Sequence, residues 1–371
     1  MSTTTEDLQI QGKLAQKASR ILARVSTDHK NRALKHIADS MNNRRTDILD
    51  ANKLDIVAGK SKNLSDELMD RLLLSAERVQ EISHGVNVVS ELPDPVGEMY
   101  DMETRPNGMI IGKRRVPLGV IGAIYESRPN VTVDIAALCL KSGNASLLRG
   151  GSEAINTNKL LASIVRESLH ESGISKDCVQ FVDDPQRSLV DEMLRMDDYI
   201  DLLVPRGGAD FIKFVSQNAT MPVLAGGVGV CHTYIDKAAD LEMAISIASN
   251  AKIKRPTVCN ALDTLIIHSE VASQFLPVLA RAWSSDRVEM RCDMRSMSIL
   301  GPTGYPGLTS ASNDDFGQEF LSLIAAIKIV DSLDEAIKHI EKHGTGHSEA
   351  IVTQDYSTAM SFLNDIDAAA V

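Results

Sequence analysis

A cysteine that follows a basic segment is the first residue of this sequence able to do covalent chemistry. Cys259 stands shortly after a stretch that contains Lys252, Lys254 and Arg255. Because nearby positive charge lowers the pKa of a thiol, and the thiolate is the nucleophilic form, this spacing favours a reactive cysteine. The alternative is an inert and partly buried side chain, which is the more common role of a single cysteine.

The other four cysteines have blander surroundings. Cys139 lies in an apolar helical segment, Cys178 and Cys231 are interpreted as small apolar fillers, and Cys292 lies near an irregular region. The number of cysteines is odd, their spacing is wide, and no Cys-x-x-Cys pair occurs. These features argue against a disulfide framework or a zinc site and predict a reducing, cytoplasmic location.

Two pairs of glycines are candidates for phosphate binding. Gly150-Gly151 and Gly207-Gly208 each follow an arginine, come after a predicted strand and open a predicted helix. Glycine permits close backbone approach, and a helix N-terminus offers free N–H groups, so such a loop suits a phosphate. Neither loop has the Gly-x-Gly-x-x-Gly or P-loop pattern, so simple chain-reversing turns remain the alternative.

The elements that must position these residues alternate between strand and helix patterns. The first ninety residues have helical spacing, and Asp28 is predicted to cap the second helix. Strands are predicted at 120–125, 146–148, 200–204, 262–268 and 326–330, with helices between them and a long irregular loop at 301–317. This alternation predicts an α/β fold whose parallel sheets carry helices on their faces. Asn107-Gly108 predicts the turn of a hairpin, either a surface ribbon or an oligomerisation arm.

Length and charge exclude several classes of protein. The chain has 371 residues, enough for two or three domains, and its net charge is −11. An acidic chain is a poor binder of nucleic acids and of anionic membranes. The sequence has no run of about 18 apolar residues and begins with no secretory signal, so no membrane association is expected.

Several segments resemble one enzyme family. The segment 116–130, Val-Pro-Leu-Gly-Val-Ile-Gly-Ala-Ile-Tyr-Glu-Ser-Arg-Pro-Asn, resembles the signature of the gamma-glutamyl phosphate reductases, which belong to the aldehyde dehydrogenase superfamily. The resemblance continues, in order, through the segments 137–144, 148–154, 230–232, 256–261 and 344–353.

The resemblance implies an aldehyde dehydrogenase-like fold with a Rossmann-type cofactor domain and an α/β catalytic domain. We expect an NADPH-binding domain at 1–96 and 117–226, an oligomerisation hairpin at 97–116, and a catalytic domain at 227–371. The family continues beyond the equivalent of Val371 with a strand, a Glu-Phe-Gly loop and an arm, so the C-terminal end of the catalytic domain is expected to be missing. A homodimer or higher homo-oligomer is implied, with glutamate 5-kinase as a further candidate partner.

The resemblance also implies a reaction, in which NADPH reduces L-glutamyl 5-phosphate to L-glutamate 5-semialdehyde and releases phosphate. This is the second step of proline biosynthesis from glutamate. Cys259 matches the catalytic cysteine, which forms a thioester, and Asn130 lies near the place of the amide that stabilises the oxyanion. Leu224 stands where hydrolytic members have a general-base glutamate, so water should be poorly activated.

The implied binding residues divide between cofactor and substrate. Arg149 would meet the 2′-phosphate of NADPH, and Glu319 would hold the nicotinamide ribose. The remaining cofactor candidates are Gly150, Gly151, Ser152, Gly207 and Gly208. The substrate candidates are Arg128, His232, Arg255, His347 and Ser348. Two other functions remain open, which are a CoA-acylating aldehyde dehydrogenase and an inactive chain that binds a cofactor or a partner.

Overall fold

The computed structural model describes residues 5–126 and 128–371, so Ser127 of the family-like segment lies outside the described residues. The chain divides into two compact units, Met1–Gly226 and Gly227–Val371. Their predicted assignment to cofactor binding and to catalysis remains a prediction. No described helix has both the length and the apolar character that crossing a membrane would need.

The first unit begins with five helices, α1 to α5, at Thr5–Leu22, Thr27–Asn43, Arg45–Ser61, Asp66–Leu72 and Ala76–Glu91. The predicted cap of the second helix is wrong. Ser26, not Asp28, is the N-cap of α2, and its side chain accepts a hydrogen bond from the His29 N–H at 3.4 Å. Asp28 lies inside the first turn, where its charge favours the positive end of the helix dipole.

An exposed hairpin follows these helices. Strand β1 (Met99–Thr104) pairs antiparallel with β2 (Ile110–Arg114), and every residue of both strands is exposed. Gly108 adopts a φ of +84°, which favours glycine, and its N–H donates to the Arg105 carbonyl. The hairpin predicted from Asn107-Gly108 is therefore present, and its role as an oligomerisation arm remains a prediction.

The rest of the first unit is a four-stranded parallel sheet with helices. Strand β3 (Val120–Tyr125) is buried at every residue, as its continuous apolar run predicts. The further elements, in chain order, are α6 (Asn130–Lys141), β4 (Ala145–Gly150), α7 (Ile155–Glu171), β5 (Val179–Phe181), α8 (Ser188–Met193), β6 (Leu202–Arg206) and α9 (Ala209–Asn218). The sheet order is β5-β4-β3-β6, and the core packs on both of its faces.

The second unit is built on a six-stranded parallel sheet. Its elements are β7 (His232–Ile235), α10 (Leu241–Ile253), β8 (Thr264–His268), α11 (Ser269–Trp283), β9 (Glu289–Cys292), α12 (Met294–Leu300), β10 (Leu308–Ser310), β11 (Ile324–Val330), α13 (Leu333–His343), β12 (Glu349–Val352) and α14 (Tyr356–Asp365). The sheet order is β10-β9-β11-β8-β7-β12. The α/β prediction with parallel sheets is confirmed. The predicted irregular loop at 301–317 contains the short edge strand β10, which pairs with β9.

Candidate active site

Cys259 lies on the loop between α10 and β8, in the second unit. It is the exposed cysteine of the chain. The thiols of the other four are buried, and burial raises the pKa of each to about 12, which holds them in the unreactive protonated form. These four are Cys139, Cys178, Cys231 and Cys292. A nucleophilic thiolate is therefore best placed at Cys259.

Gly229 packs directly against the Cys259 loop. A Cβ atom added at Gly229 would lie 1.9 Å from the carbonyl oxygen of Cys259, a distance that no side chain could adopt. The Gly229 N–H donates to Oε1 of Glu319 at 3.3 Å. Glu319, the predicted ribose ligand, thus also connects its own loop to the segment that supports Cys259.

Cys231 contacts the same carbonyl group. Its thiol donates to the Cys259 oxygen at 3.2 Å, and its Sγ lies 3.9 Å from Nδ1 of His347. The His347 Nδ1 is also 2.9 Å from Oγ of Ser348. The interpretation of Cys231 as a simple apolar filler is therefore wrong, since its thiol makes polar contacts. Two predicted substrate residues, His347 and Ser348, belong to the same polar cluster.

All of these segments lead into the six-stranded sheet of the second unit at one edge. Cys231 precedes β7, Cys259 precedes β8, Glu319 precedes β11 and His347 precedes β12. The strands β11, β8, β7 and β12 are neighbours and run parallel, so their amino ends share one edge of the sheet. The polar cluster therefore forms at the amino ends of the strands, whereas open α/β sheets commonly bind ligands at the carboxyl ends.

Lys252 does not have the role that its sequence position indicated. It is buried, and its Nζ donates to the Leu262 carbonyl at 2.7 Å and lies 3.9 Å from Oδ1 of Asp263. Burial lowers the pKa of this ammonium to about 8. The expectation that Lys252 supplies charge to Cys259 is wrong, because a buried carboxylate takes that charge. Arg255 is exposed, and its substrate role remains a prediction.

His232 is buried and cannot contact a substrate. It is 1% exposed, and both its N–H and its Nδ1 contact Oε2 of Glu349, at 2.9 and 3.0 Å. Its ring also packs edge-on against His339. The prediction of His232 as a substrate ligand is wrong, because the side chain is enclosed beneath the start of β7. Its contacts with Glu349 instead hold the start of β7, which directly follows Cys231.

The first glycine pair does not open a free helix N-terminus. A 3₁₀ turn at Ser152–Ala154 separates it from α7, which begins only at Ile155. The buried carboxylate of Asp55 accepts from the backbone N–H groups of Asn156 and Thr157, at 3.2 and 2.8 Å. The predicted phosphate site at this N-terminus is wrong, because Asp55 already occupies the amide groups. Gly150, Gly151 and Ser152 remain candidates for cofactor binding through the loop, without the helix N-terminus.

The second glycine pair has the open geometry that a phosphate needs. Gly208 is the N-cap residue of α9, which has no side-chain cap. A Cβ at Gly208 would meet no atom of the described residues within 4 Å, so a ligand could approach the backbone there. At Gly207 a Cβ would lie 2.9 Å from the side chains of Glu126 and Phe211, so any larger residue would have to displace them. The α9 N-terminus fits an anionic group.

One polar atom of Arg149 has no partner among the described residues. The Nη2 of Arg149 donates to the Pro185 carbonyl at 2.9 Å, whereas its buried Nε has no hydrogen-bond partner within residues 5–126 and 128–371. Burial lowers the pKa of Arg149, and the nearby charges of Glu153 and Arg187 also act on it. Arg187 is exposed beside this site. Arg187 lies in no recognised motif, so its local sequence gives no signal of this position.

Asn130 and Arg128 lie at the start of α6 in the first unit. The Asn130 side-chain amide donates to Oδ2 of Asp134 at 2.8 Å, one turn along the helix. Arg128 is exposed, and its carbonyl accepts from the Val131 N–H. The oxyanion role of Asn130 and the substrate role of Arg128 remain predictions. Within residues 5–126 and 128–371, no three His, Cys, Asp or Glu side chains are grouped to hold a metal.

Comparison with known proteins decides the family. The sequence model of the aldehyde dehydrogenase family matches residues 1–304. A gamma-glutamyl phosphate reductase of Dehalococcoides mccartyi is 50% identical over 365 residues, which cover 98% of this chain and 86% of the relative. The chain belongs to the gamma-glutamyl phosphate reductases of the aldehyde dehydrogenase family. It is therefore an oxidoreductase that acts on a small-molecule aldehyde, in a family that uses nicotinamide cofactors.

Other relatives agree. A gamma-glutamyl phosphate reductase of Clostridium tetani is 48% identical and covers 97% of this chain and 85% of its own. The crystal structure of a Thermotoga maritima gamma-glutamyl phosphate reductase matches with a TM-score of 0.93 at 45% identity, over 98% of this chain and 87% of that one. The fold and the family are consistent across sequence and structure.

Proposed function

We propose that the protein uses NADPH to reduce L-glutamyl 5-phosphate to L-glutamate 5-semialdehyde, with release of phosphate. This reaction is the second step of proline biosynthesis from glutamate. The observation that carries the proposal is the position of Cys259. Its side chain is exposed at the amino ends of the strands of the six-stranded sheet, whereas the other four thiols are buried. The names of the relatives support the choice of substrate.

The Cys259 thiolate performs the covalent steps. It attacks the acyl carbon, phosphate leaves, and a thioester remains on the sulfur. A nicotinamide, when bound, supplies the hydride that this thioester accepts. The resulting thiohemiacetal collapses, the carbon–sulfur bond breaks, and the aldehyde leaves with Cys259 restored. The Cys259 N–H stabilises the oxyanion during both additions.

Leu224 cannot act as a general base, so it does not activate water for hydrolysis of the thioester. It stands where hydrolytic aldehyde dehydrogenases have a base, and its side chain is 61% exposed and carries no ionisable group. Without a general base, an attacking water gains no help in losing its proton. The acyl group is therefore reserved for exchange with phosphate.

The first unit supplies the cofactor site. The free N-terminus of α9, at Gly207 and Gly208, takes the pyrophosphate, because its N–H groups and dipole favour an anion. Arg149 takes the 2′-phosphate with help from Arg187, which gives the preference for NADPH over NADH. The loop residues Gly150, Gly151 and Ser152 allow the cofactor to approach, and Glu319 would hold the nicotinamide ribose.

The remaining assignments concern substrate, assembly and location. Arg128 and Arg255 bind anionic groups of the substrate, and His347 and Ser348 bind its polar groups. The exposed hairpin joins copies of the chain into a homodimer or a higher homo-oligomer, because its strands expose apolar side chains that include Met99, Met102, Ile110 and Ile111. The enzyme acts in the cytoplasm, where glutamate 5-kinase is a candidate partner.

Reduction of NADP⁺ in the presence of pyrroline-5-carboxylate tests the function in the reverse direction. The rate should depend on inorganic phosphate and vanish in Cys259→Ser. The buried Cys292→Ser variant, as a matched control, should keep its rate. A rate that depends on CoA instead of phosphate would indicate a CoA-acylating enzyme. Cofactor binding without turnover under either condition would indicate an inactive binding chain.

A further inference from the structure

The loop that carries Cys259 is closed at its base by the last turn of α10. The Leu262 N–H donates to the Ala251 carbonyl at 3.0 Å. The Leu262 carbonyl accepts from Nζ of Lys252 at 2.7 Å. Both polar groups of one residue are therefore held by α10, one by its backbone and the other by a fully buried ammonium.

Asp263, the next residue, connects this base to two other segments. Its Oδ2 accepts from the Cys231 N–H at 3.3 Å, and its Oδ1 accepts from the Phe320 N–H at 3.0 Å. Oδ1 also lies 3.9 Å from Nζ of Lys252. One carboxylate, only 2% exposed, thus joins the segment before β7, the segment before β11 and the end of α10.

The segment before β7 contacts the Cys259 loop directly, and the segment before β11 contacts the segment before β7. The thiol of Cys231 donates to the Cys259 carbonyl, and Gly229 packs against the same oxygen. Glu319, which precedes Phe320, accepts from the Gly229 N–H. The buried pair Lys252 and Asp263 therefore holds the base of the loop at Leu262. It also holds the neighbouring segments at Cys231 and Phe320.

Burial makes the pair sensitive to the loss of either partner. Desolvation lowers the pKa of Lys252 to about 8 and raises that of Asp263 to about 6, while the attraction between the two opposes both shifts. Near pH 7 both groups are charged, and each is the counter-ion of the other. Removing one charge leaves the other buried without a counter-ion, which favours rearrangement of the loop base.

We propose that Lys252 and Asp263 are positioning residues that hold the Cys259 loop in its reactive geometry. The proposal rests on the proposed function, because it assumes that Cys259 is the nucleophile. Lys252 acts at a distance from the reacting sulfur and contacts no substrate. A misplacement of the nucleophile by about 1 Å can slow a reaction by about 100-fold, so this is the scale of the effect expected on kcat.

The test compares Lys252→Met, which keeps length but removes the charge and the donor, with Lys252→Arg, which keeps both. Lys338→Met is the matched control, since Lys338 is exposed on α13. Lys252→Met should lose about 100-fold in kcat with little change in the KM for NADP⁺. Lys252→Arg should recover a large part of the loss, and Lys338→Met should match the wild type. A folded Lys252→Met with kcat within twofold of the wild type overturns the proposal.

Alkylation of Cys259 by iodoacetamide separates this proposal from the proposed function, because it needs no substrate. The other cysteines are buried, so the native chain should react at Cys259. The rate should change in Lys252→Met and return toward the wild-type value in Lys252→Arg. A wild type without phosphate-dependent activity rejects the function, whereas an unchanged alkylation rate in Lys252→Met rejects the positioning role.

A double variant keeps the test usable if Lys252→Met fails to fold. Lys252→Met with Asp263→Asn removes both buried charges, and therefore leaves no unpaired ion in the core. The folded double variant should still show slow turnover and a changed alkylation rate, because the donor to the Leu262 carbonyl is absent. Wild-type values in the folded double variant contradict the proposal.

Discussion

Replacement of Gly229 by alanine should displace the backbone of Cys259 and, with it, the nucleophilic sulfur. The new Cβ would lie 1.9 Å from the Cys259 carbonyl oxygen, and real Cβ contacts are not found below 3.0 Å. The obstacle is backbone, so no side-chain rotation relieves the clash, and one of the two segments must move by roughly 1 Å. A shift of this size predicts a loss of about 100-fold in kcat/KM.

The assay is phosphate-dependent NADP⁺ reduction, with circular dichroism and thermal unfolding to show that the variant is folded. Gly301→Ala is the matched control, because a Cβ at Gly301 meets no atom of the described residues within 4 Å and its φ of −51° suits alanine. The control should retain the wild-type rate. A folded Gly229→Ala enzyme with undiminished kcat/KM would refute the inference that Gly229 positions Cys259.

Three further predictions concern stability and the cofactor. Asp55→Ala removes four hydrogen bonds to Asn156 and Thr157, so it should lower the free energy of unfolding by about 3 kcal/mol or more, measured in urea; a loss below about 1 kcal/mol would contradict the capping role. Between about pH 8 and pH 10 the unfolding free energy of the wild type should rise relative to that of Lys252→Met. The reason is that folded Lys252 has lost its proton above its pKa of about 8, whereas the unfolded lysine keeps its proton until about pH 10.5; parallel pH profiles would contradict this. Arg149→Ala should raise the KM for NADPH at least about tenfold and leave the KM for NADH nearly unchanged, and equal effects on both would remove Arg149 from the 2′-phosphate site.

Local patterns predicted the fold where each element has its own strong signal. The apolar run at Val120–Tyr125 is buried at every residue, because a central parallel strand is covered on both faces. The edge strand Leu308–Ser310 was missed, since three residues that pair with one neighbour carry no periodic pattern. The α2 cap was placed at Asp28 instead of Ser26, because boundaries depend on backbone geometry more than on residue type.

The candidate site was predictable only as far as its chemistry is local. The basic stretch before Cys259 indicates the cysteine that is exposed in the structure. Lys252, however, pairs with the buried carboxylate of Asp263. Asp55 blocks a helix N-terminus that lies about a hundred positions later, a relation that no short motif contains. His232 was misjudged for the same reason, since its partner Glu349 comes from a distant strand. Long-range contacts decide which polar residues are free to bind a ligand.

The most direct test of the central claim is mass spectrometry of the enzyme after incubation with pyrroline-5-carboxylate and NADP⁺ in the absence of phosphate. The proposed chemistry predicts a glutamyl adduct on the Cys259 sulfur, which disappears when inorganic phosphate is added and never forms in Cys259→Ser. An adduct on another cysteine, or turnover in the Cys259→Ser variant, would contradict the claim that this sulfur carries the acyl group.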